Sequence, residues 1–337
     1  MRAYLLSKGM TGPKELKLVE RPDPQPGAKE ILVRMRAASL NYRDQMIAHD
    51  TYMGNTLQGD AIPLSDGAGE VIAAGSGVTR FKIGDRVMST FFKDWIAGPW
   101  RDQGYSALGQ NGVDGVLAEL VVFNQEDAVR IPDGLSFEEA SCLPCAALTA
   151  WTSLYDAGGV RAGQSVLALG TGGVSVFAIQ FAKAAGCSVV VTSSSEEKLA
   201  KAKALGADEL INYRAIPEWD VEVRRLTRGR GVDHVIEVGG AGTLERSCRA
   251  LANNGTVGLI GFLAEGAASN PWMVLPRWGR LVKVVVGSRE SFEMMNRAIV
   301  QNQIKPAIDK VFPFEQAIDA YLYGLSGAHF GKVVITI

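Results

Sequence analysis

From Ser165 onward, six apolar runs (SVLALG, SVVVTS, ELINY, HVIEVGG, GTVGLIGF and LVKVVVGS) alternate with helix-like stretches. The runs are continuous in hydrophobicity rather than alternating, as expected of strands covered by helices on both faces. One parallel, doubly wound six-stranded sheet follows. The first run leads into Gly170-Thr171-Gly172-Gly173-Val174-Ser175 and then the helical FAIQFAKAAG, so a glycine-rich turn sits between strand and helix. Gly170 permits a tight turn, Gly172 lets the backbone approach a pyrophosphate, and Ser175 is small enough for the helix to pack on the strand. The helix N-terminus adds amide donors for the phosphates. Glycine-rich turns also occur in connections that bind nothing, and here the surrounding six strands favour a nucleotide.

The residues before this region have a different texture. Short alternating segments broken by Gly, Pro, Asn and Asp run to about Arg130 and predict a compact β-barrel or sandwich. Ser136 and Glu139 have capping-box spacing, predicting a helix over most of the apolar stretch to Gly158. The tail, ending HFGKVVITI, matches the first region in composition and is expected to close it, which gives domains 1–128 with 289–337 and 129–288. Residues 93–114 form the longest unpatterned piece and carry Trp95 and Trp100, either as a surface excursion with buried aromatics or as part of a substrate pocket.

With 35 Lys and Arg against 36 Asp and Glu, the chain has no field to attract nucleic acid or acidic lipid. No run of eighteen apolar residues suggests a membrane span, and the N-terminus reads as neither signal nor transit peptide, so a cytoplasmic protein is expected. Four scattered cysteines suit a reducing compartment. Cys142 and Cys145 spell CxxC, but without a second pair in an apolar run they read as core thiols. His49, His234 and His329 share no ligand spacing.

The second run points to one nucleotide over the other. An NAD enzyme usually ends this strand in Asp or Glu, whereas here it ends VVVTSSSEEKL, with Ser193 where the acid would stand. Ser193 and Ser194 can hydrogen-bond a 2′-phosphate, with Lys198 and Arg214 as candidate counter-charges. NADPH is therefore expected over NADH.

The order of barrel, GTGGVS turn and HFGKVV tail, with LNYRD at 40–44, PLSDGAGEV at 63–71, RFKIGDRV at 80–87, LPCAALTAW at 143–151 and KALGADELINY at 203–213, resembles the medium-chain dehydrogenase/reductase superfamily over essentially the whole chain. It is most similar to the zinc-free, quinone-oxidoreductase-like branch. The resemblance implies a GroES-like β-barrel catalytic domain and a Rossmann domain. It places Asn41 and Ser65 where zinc-dependent members carry metal ligands and Cys145 near a third, and it shows no four-cysteine cluster at 90–115; no metal is expected.

Without a metal to lower an alcohol's pKa, a pre-activated quinone or α,β-unsaturated carbonyl becomes the expected acceptor. By resemblance, Asn41 would stand beside the nicotinamide and the substrate oxygen. Tyr42, Arg43 and Asp44 would form or support the pocket, and Tyr52 would be a donor or proton source. The plainer alternative makes Arg43 and Asp44 a salt-bridged structural turn. Thr149, Gly173, Val174, Tyr213, Gly239, Gly261, Phe262, Ser288 and Lys332 resemble cofactor-lining positions. The alternatives are an NAD(P)-dependent alcohol dehydrogenase and a nucleotide-binding, crystallin-like protein with little turnover. The last two strands of the sheet present an apolar edge that needs cover, so a homodimer is expected.

Overall fold

The computed structural model describes residues 1–52, 57, 59–101, 104–261 and 270–337. Contacts divide the chain into two units, Met1–Ala146 with Ser288–Ile337, and Ala147–Gly287. The chain opens with β1 (Arg2–Leu5), β2 (Lys17–Glu20), β3 (Glu30–Ser39), α1 (Tyr42–Ala48), β4 (Asp66–Ala74), β5 (Arg86–Ser89), β6 (Leu120–Asn124), β7 (Ala128–Arg130) and α2 (Phe137–Ser141). The second unit holds α3 (Leu148–Trp151), β8 (Ser165–Leu169), α4 (Gly173–Ala184), β9 (Ser188–Ser193), α5 (Glu196–Ala204), β10 (Glu209–Asn212), α6 (Trp219–Leu226), β11 (Val232–Glu237), α7 (Leu244–Ala250), β12 (Leu251–Leu259) and β13 (Arg280–Lys283). The chain then returns to the first unit with α8 (Arg289–Gln301), β14 (Ile308–Pro313), α9 (Ala317–Leu325) and β15 (Lys332–Thr336).

In the first unit β14, β15, β3, β4, β5 and β7 follow one another in a single sheet, and β6 also pairs with β3. The tail thus joins the opening strands through β15, antiparallel to β3 with Val334 opposite Ser39. Alternation along the strands turns Ile31, Val33, Met35, Val71, Val87, Val333 and Ile335 into one apolar core, against which Tyr321 of α9 is fully buried. Within residues 93–114, Trp95 stacks on Tyr105 at 5.2 Å while Trp100 and Phe92 pack edge-on around them. That piece therefore carries a small aromatic core of its own.

In the second unit the order β10-β9-β8-β11-β12-β13 is parallel throughout, the doubly wound arrangement expected from the six apolar runs. Every residue of β8 and of β11 is buried, which is why these runs show no alternation.

The helix expected up to Gly158 is interrupted. Ser136 and Glu139 do form the capping box, with Ser136 Oγ accepting the Glu139 N–H at 3.1 Å and Glu139 Oε2 accepting the Ser136 N–H at 2.8 Å. Beyond α2 the chain widens into i→i+5 turns at Leu143–Ala147 and again at Thr152–Asp156. Pro144 has no N–H to donate and its ring crowds the preceding turn, so a regular helix cannot run through it. The Cys145 N–H is donated instead to Asp66 Oδ2, at 2.9 Å.

Candidate functional site

In the second unit, β8 delivers the chain into a turn where Gly170 sits at φ 71°, in the left-handed region that favours glycine. A Cβ built on Gly170 or Gly172 would meet nothing within 4 Å, so the backbone of this turn is open to a ligand. Gly172 caps α4, whose first residues are Gly173 and Val174. Ser175 takes the place of the third fingerprint glycine, and its hydroxyl donates to Leu169 O at 2.6 Å, tying α4 to the end of β8. The residues fit a dinucleotide: an open glycine turn, a helix N-terminus and no carboxylate at the end of β9.

β9 ends on buried Ser193, whose carbonyl accepts the Tyr213 N–H at 3.0 Å, so these two expected contacts are adjacent. Ser194 follows Ser193 as a partly exposed residue, and the Lys198 N–H caps onto Ser195 Oγ at the start of α5. Gly239 and Gly261 lie past the ends of β11 and β12. A Cβ on Gly261 would come within 2.5 Å of Val238 O, so the two loops touch through backbone. Thr149 is buried on α3. Phe262 falls outside the described residues.

Sequence reasoning missed Glu237. This fully buried carboxylate ends β11 and accepts from Gly239 N at 2.7 Å, Gly240 N at 2.9 Å, Thr243 Oγ1 at 2.6 Å and Ser247 Oγ. Its signal was an acid in an apolar parallel strand, one residue ahead of two glycines.

In the first unit α1 starts at LNYRD. Asp44 Oδ2 accepts the Asn41 N–H at 2.8 Å, and Arg43 reaches Asp44 at 3.3 Å, Leu108 O at 3.1 Å and Gln110 Oε1 at 2.7 Å. The Arg43 guanidinium also lies over the rings of Phe91 and Tyr52. Arg43 and Asp44 are therefore ion-paired inside the fold, as in the plainer reading, while Tyr42 is half exposed. Lys332, buried on β15, donates to Leu40 O at 2.7 Å and to Asn41 Oδ1 at 2.6 Å, with Asp66 Oδ2 at 4.0 Å. Ser65 Oγ donates to Asp66 Oδ1 at 2.6 Å. Ser288, the other expected cofactor contact on this unit, caps α8 by accepting the Ser291 N–H at 3.2 Å.

Zinc does not fit these residues. A catalytic zinc takes three thiolate, imidazole or carboxylate donors, and here the positions hold the Asn41 amide, the Ser65 hydroxyl and the Cys145 thiol, with the Lys332 ammonium among them. Burial pushes the Cys145 thiol far up, and Cys142 up to about 12, so neither is a thiolate at neutral pH. Among the described residues, no three His, Cys, Asp or Glu side chains gather as a metal would need.

Burial pushes the Asp44 carboxyl up to about 6, against the pull of Arg43. The folded state thus keeps this proton to higher pH than the unfolded chain does. The stability it contributes is complete below about pH 4 and lost as pH rises to about 6. In urea unfolding at pH 5 and pH 7, the wild type should gain about 1 kcal/mol over Asp44→Asn on acidification. Parallel behaviour of the two proteins would refute this.

Two family descriptions match the chain: the alcohol dehydrogenase GroES-like domain over residues 27–133 and the zinc-binding dehydrogenase over residues 173–301. A zinc-type alcohol dehydrogenase-like protein of Schizosaccharomyces pombe is 44% identical over 99% of both chains. A quinone oxidoreductase of Pseudomonas aeruginosa is 35% identical over 77% of this chain and 72% of its own. The crystal structure of an NAD-dependent alcohol dehydrogenase superposes with a TM-score of 0.91 at 34% identity, covering 100% of both chains.

Proposed function

This chain belongs to the medium-chain dehydrogenase/reductase superfamily of alcohol dehydrogenases, and on that premise we propose that it is an NADPH-dependent reductase of quinones or α,β-unsaturated carbonyls. The oxidoreductase class comes with the family; the acceptor and the cofactor are our reading. The carrying observation is the donor set at the position of the family's metal, an amide, a hydroxyl, a protonated thiol and an ammonium. Such a set cannot ionise an alcohol as a metal does, but its Asn41 Nδ2, which has no partner among the described residues, can donate to an oxygen on which negative charge grows.

Bound NADPH supplies the hydride. The second unit holds the nucleotide through the Gly170–Gly172 turn and the start of α4, and Ser193 and Ser194 favour the 2′-phosphate by leaving no carboxylate beside it. Asn41 of the first unit binds the acceptor oxygen, Arg43 holds the LNYRD turn in shape, and Tyr52, whose phenol burial raises, keeps its proton on Oη for donation. Reduction of an enone takes up one hydride at the β-carbon and one proton at the α-carbon; reduction of a quinone places the proton on oxygen. We also propose that a second copy pairs at β13, the end strand of its sheet, beside exposed Trp272, Leu275 and Trp278. Trp278 ends the turn before β13 as its left-handed cap and is 80% exposed, so a partner here would take a large apolar side chain out of water. Trp278→Glu should elute as monomer in light scattering; a wild-type monomer would count against pairing.

The test is NADPH oxidation by purified protein with 1,4-benzoquinone, 9,10-phenanthrenequinone and simple enones, with NADH in parallel and metal content determined on the same sample. Turnover preferring NADPH in a zinc-free sample supports the reading. The NAD-dependent alcohol dehydrogenase among the similar structures favours a second one, and stoichiometric zinc with alcohol oxidation would establish it.

A further inference from the structure

Asn41 carries an amide whose two ends are not equivalent here. Lys332 Nζ can only donate, so its 2.6 Å contact fixes which end of the carboxamide is oxygen. With Oδ1 held, Nδ2 must face the other way, and among the described residues this buried nitrogen has no hydrogen-bond partner. A buried NH₂ left unpaired is costly and calls for an explanation. Asn41 as a whole is only partly buried, so the amide lies just beneath the surface. Lys332 meanwhile donates to Leu40 O and Asn41 Oδ1 and pairs at 4.0 Å with Asp66 Oδ2, an oxygen that also accepts the Cys145 N–H. Two of the ammonium's three donors are thus committed to this chain, one of them to the Asn41 amide.

We propose that Lys332 is a positioning residue that locks the Asn41 carboxamide with its NH₂ group outward, so that Asn41 Nδ2 is a hydrogen-bond donor dedicated to a carbonyl oxygen of the acceptor. This rests on the reductase reading and deepens it. The locked amide offers a donor and no acceptor, which satisfies the oxygen of a ketone, enone or quinone but leaves an alcohol's O–H without a partner at this amide. Lys332 then acts on the acceptor through Asn41 and not by contact with the nucleotide.

The experiment has two arms. In steady-state kinetics with NADPH and cyclohex-2-enone, Asn41→Leu should lower kcat about 100-fold, the usual effect of removing one donor at a developing oxyanion. Lys332→Met should lower kcat at least tenfold and leave the NADPH dissociation constant, read by nucleotide fluorescence, within twofold of wild type; Lys332→Arg, which keeps a donor for Asn41 Oδ1, should retain more of the wild-type kcat than the methionine variant. The second arm needs no turnover. In wild-type protein labelled with ¹⁵N-asparagine, the Asn41 carboxamide pair, assigned by its loss in Asn41→Leu, should shift when cyclohex-2-enone is added.

An unshifted pair, wild-type kcat in Asn41→Leu, or a Lys332 defect confined to NADPH binding would each overturn the proposal. If the wild type reduces no acceptor, the reductase reading falls, and the carbonyl-induced shift still decides the role of the amide.

Discussion

Glu237→Leu should lower the stability of the protein by roughly 4 kcal/mol. Each buried donor left without an acceptor costs about 1–3 kcal/mol. The Glu237 carboxylate accepts from four: the Gly239 and Gly240 amides and the Thr243 and Ser247 hydroxyls. Ser247 is fully buried and Gly239 buried, so water cannot replace the lost acceptor at either. Glu237→Gln keeps one carbonyl oxygen for the glycine amides and Thr243, and its NH₂ can donate to Ser247 Oγ, so the loss should shrink to about 1–2 kcal/mol. Urea denaturation read by tryptophan fluorescence measures both. A leucine variant within 1 kcal/mol of wild type would mean that the loop after β11 re-forms without its anchor. Because Gly239 lies on that loop, NADPH affinity should fall with the leucine substitution even under conditions where the variant is folded.

The nucleotide unit was legible because its signals are local. Continuous apolar runs announce buried parallel strands, and a glycine turn between a strand and a helix lies within a dozen residues of sequence. The capping box at Ser136 and Glu139 was legible for the same reason, whereas the break after it was not: Pro144 lay in plain view, but the Asp66 carboxylate that takes the freed Cys145 N–H is 79 residues away.

The contact at the centre of the candidate site is non-local. Lys332 meets Asn41 across 291 residues, and no periodicity or spacing encodes that contact. Resemblance points to both residues, but only the fold brings them within hydrogen-bond distance. Arg43 is a similar case, since its partners Leu108 and Gln110 come from the unpatterned piece whose role composition left open.

On the proposed reading of an NADPH enzyme, Ser193→Asp should reverse the cofactor preference. Ser193 ends β9 in a buried position with its hydroxyl facing the Ser195 N–H at 3.4 Å, where dehydrogenases that use NAD present an acid to the ribose hydroxyls. An aspartate there could accept that same N–H, so the fold should tolerate it. A ribose 2′-phosphate would then face a second negative charge within a few ångströms, in surroundings less polar than water. We expect the NADPH dissociation constant to rise about 100-fold, equivalent to about 2.7 kcal/mol, and that for NADH to fall. Fluorescence titration of both nucleotides, with thermal unfolding as a control on folding, measures the exchange. If both nucleotides weaken equally, the substitution has damaged the turn and says nothing special about the phosphate. If NADPH binds the variant as it binds wild type, the 2′-phosphate is not read at the end of β9, and the expectation of NADPH drawn from VVVTSSSEEKL is wrong. Adding Lys198→Ala separates the two charges: a further loss of NADPH affinity only where Ser193 is intact would assign the lysine to the phosphate, because a cation matters most where no carboxylate already repels the ligand.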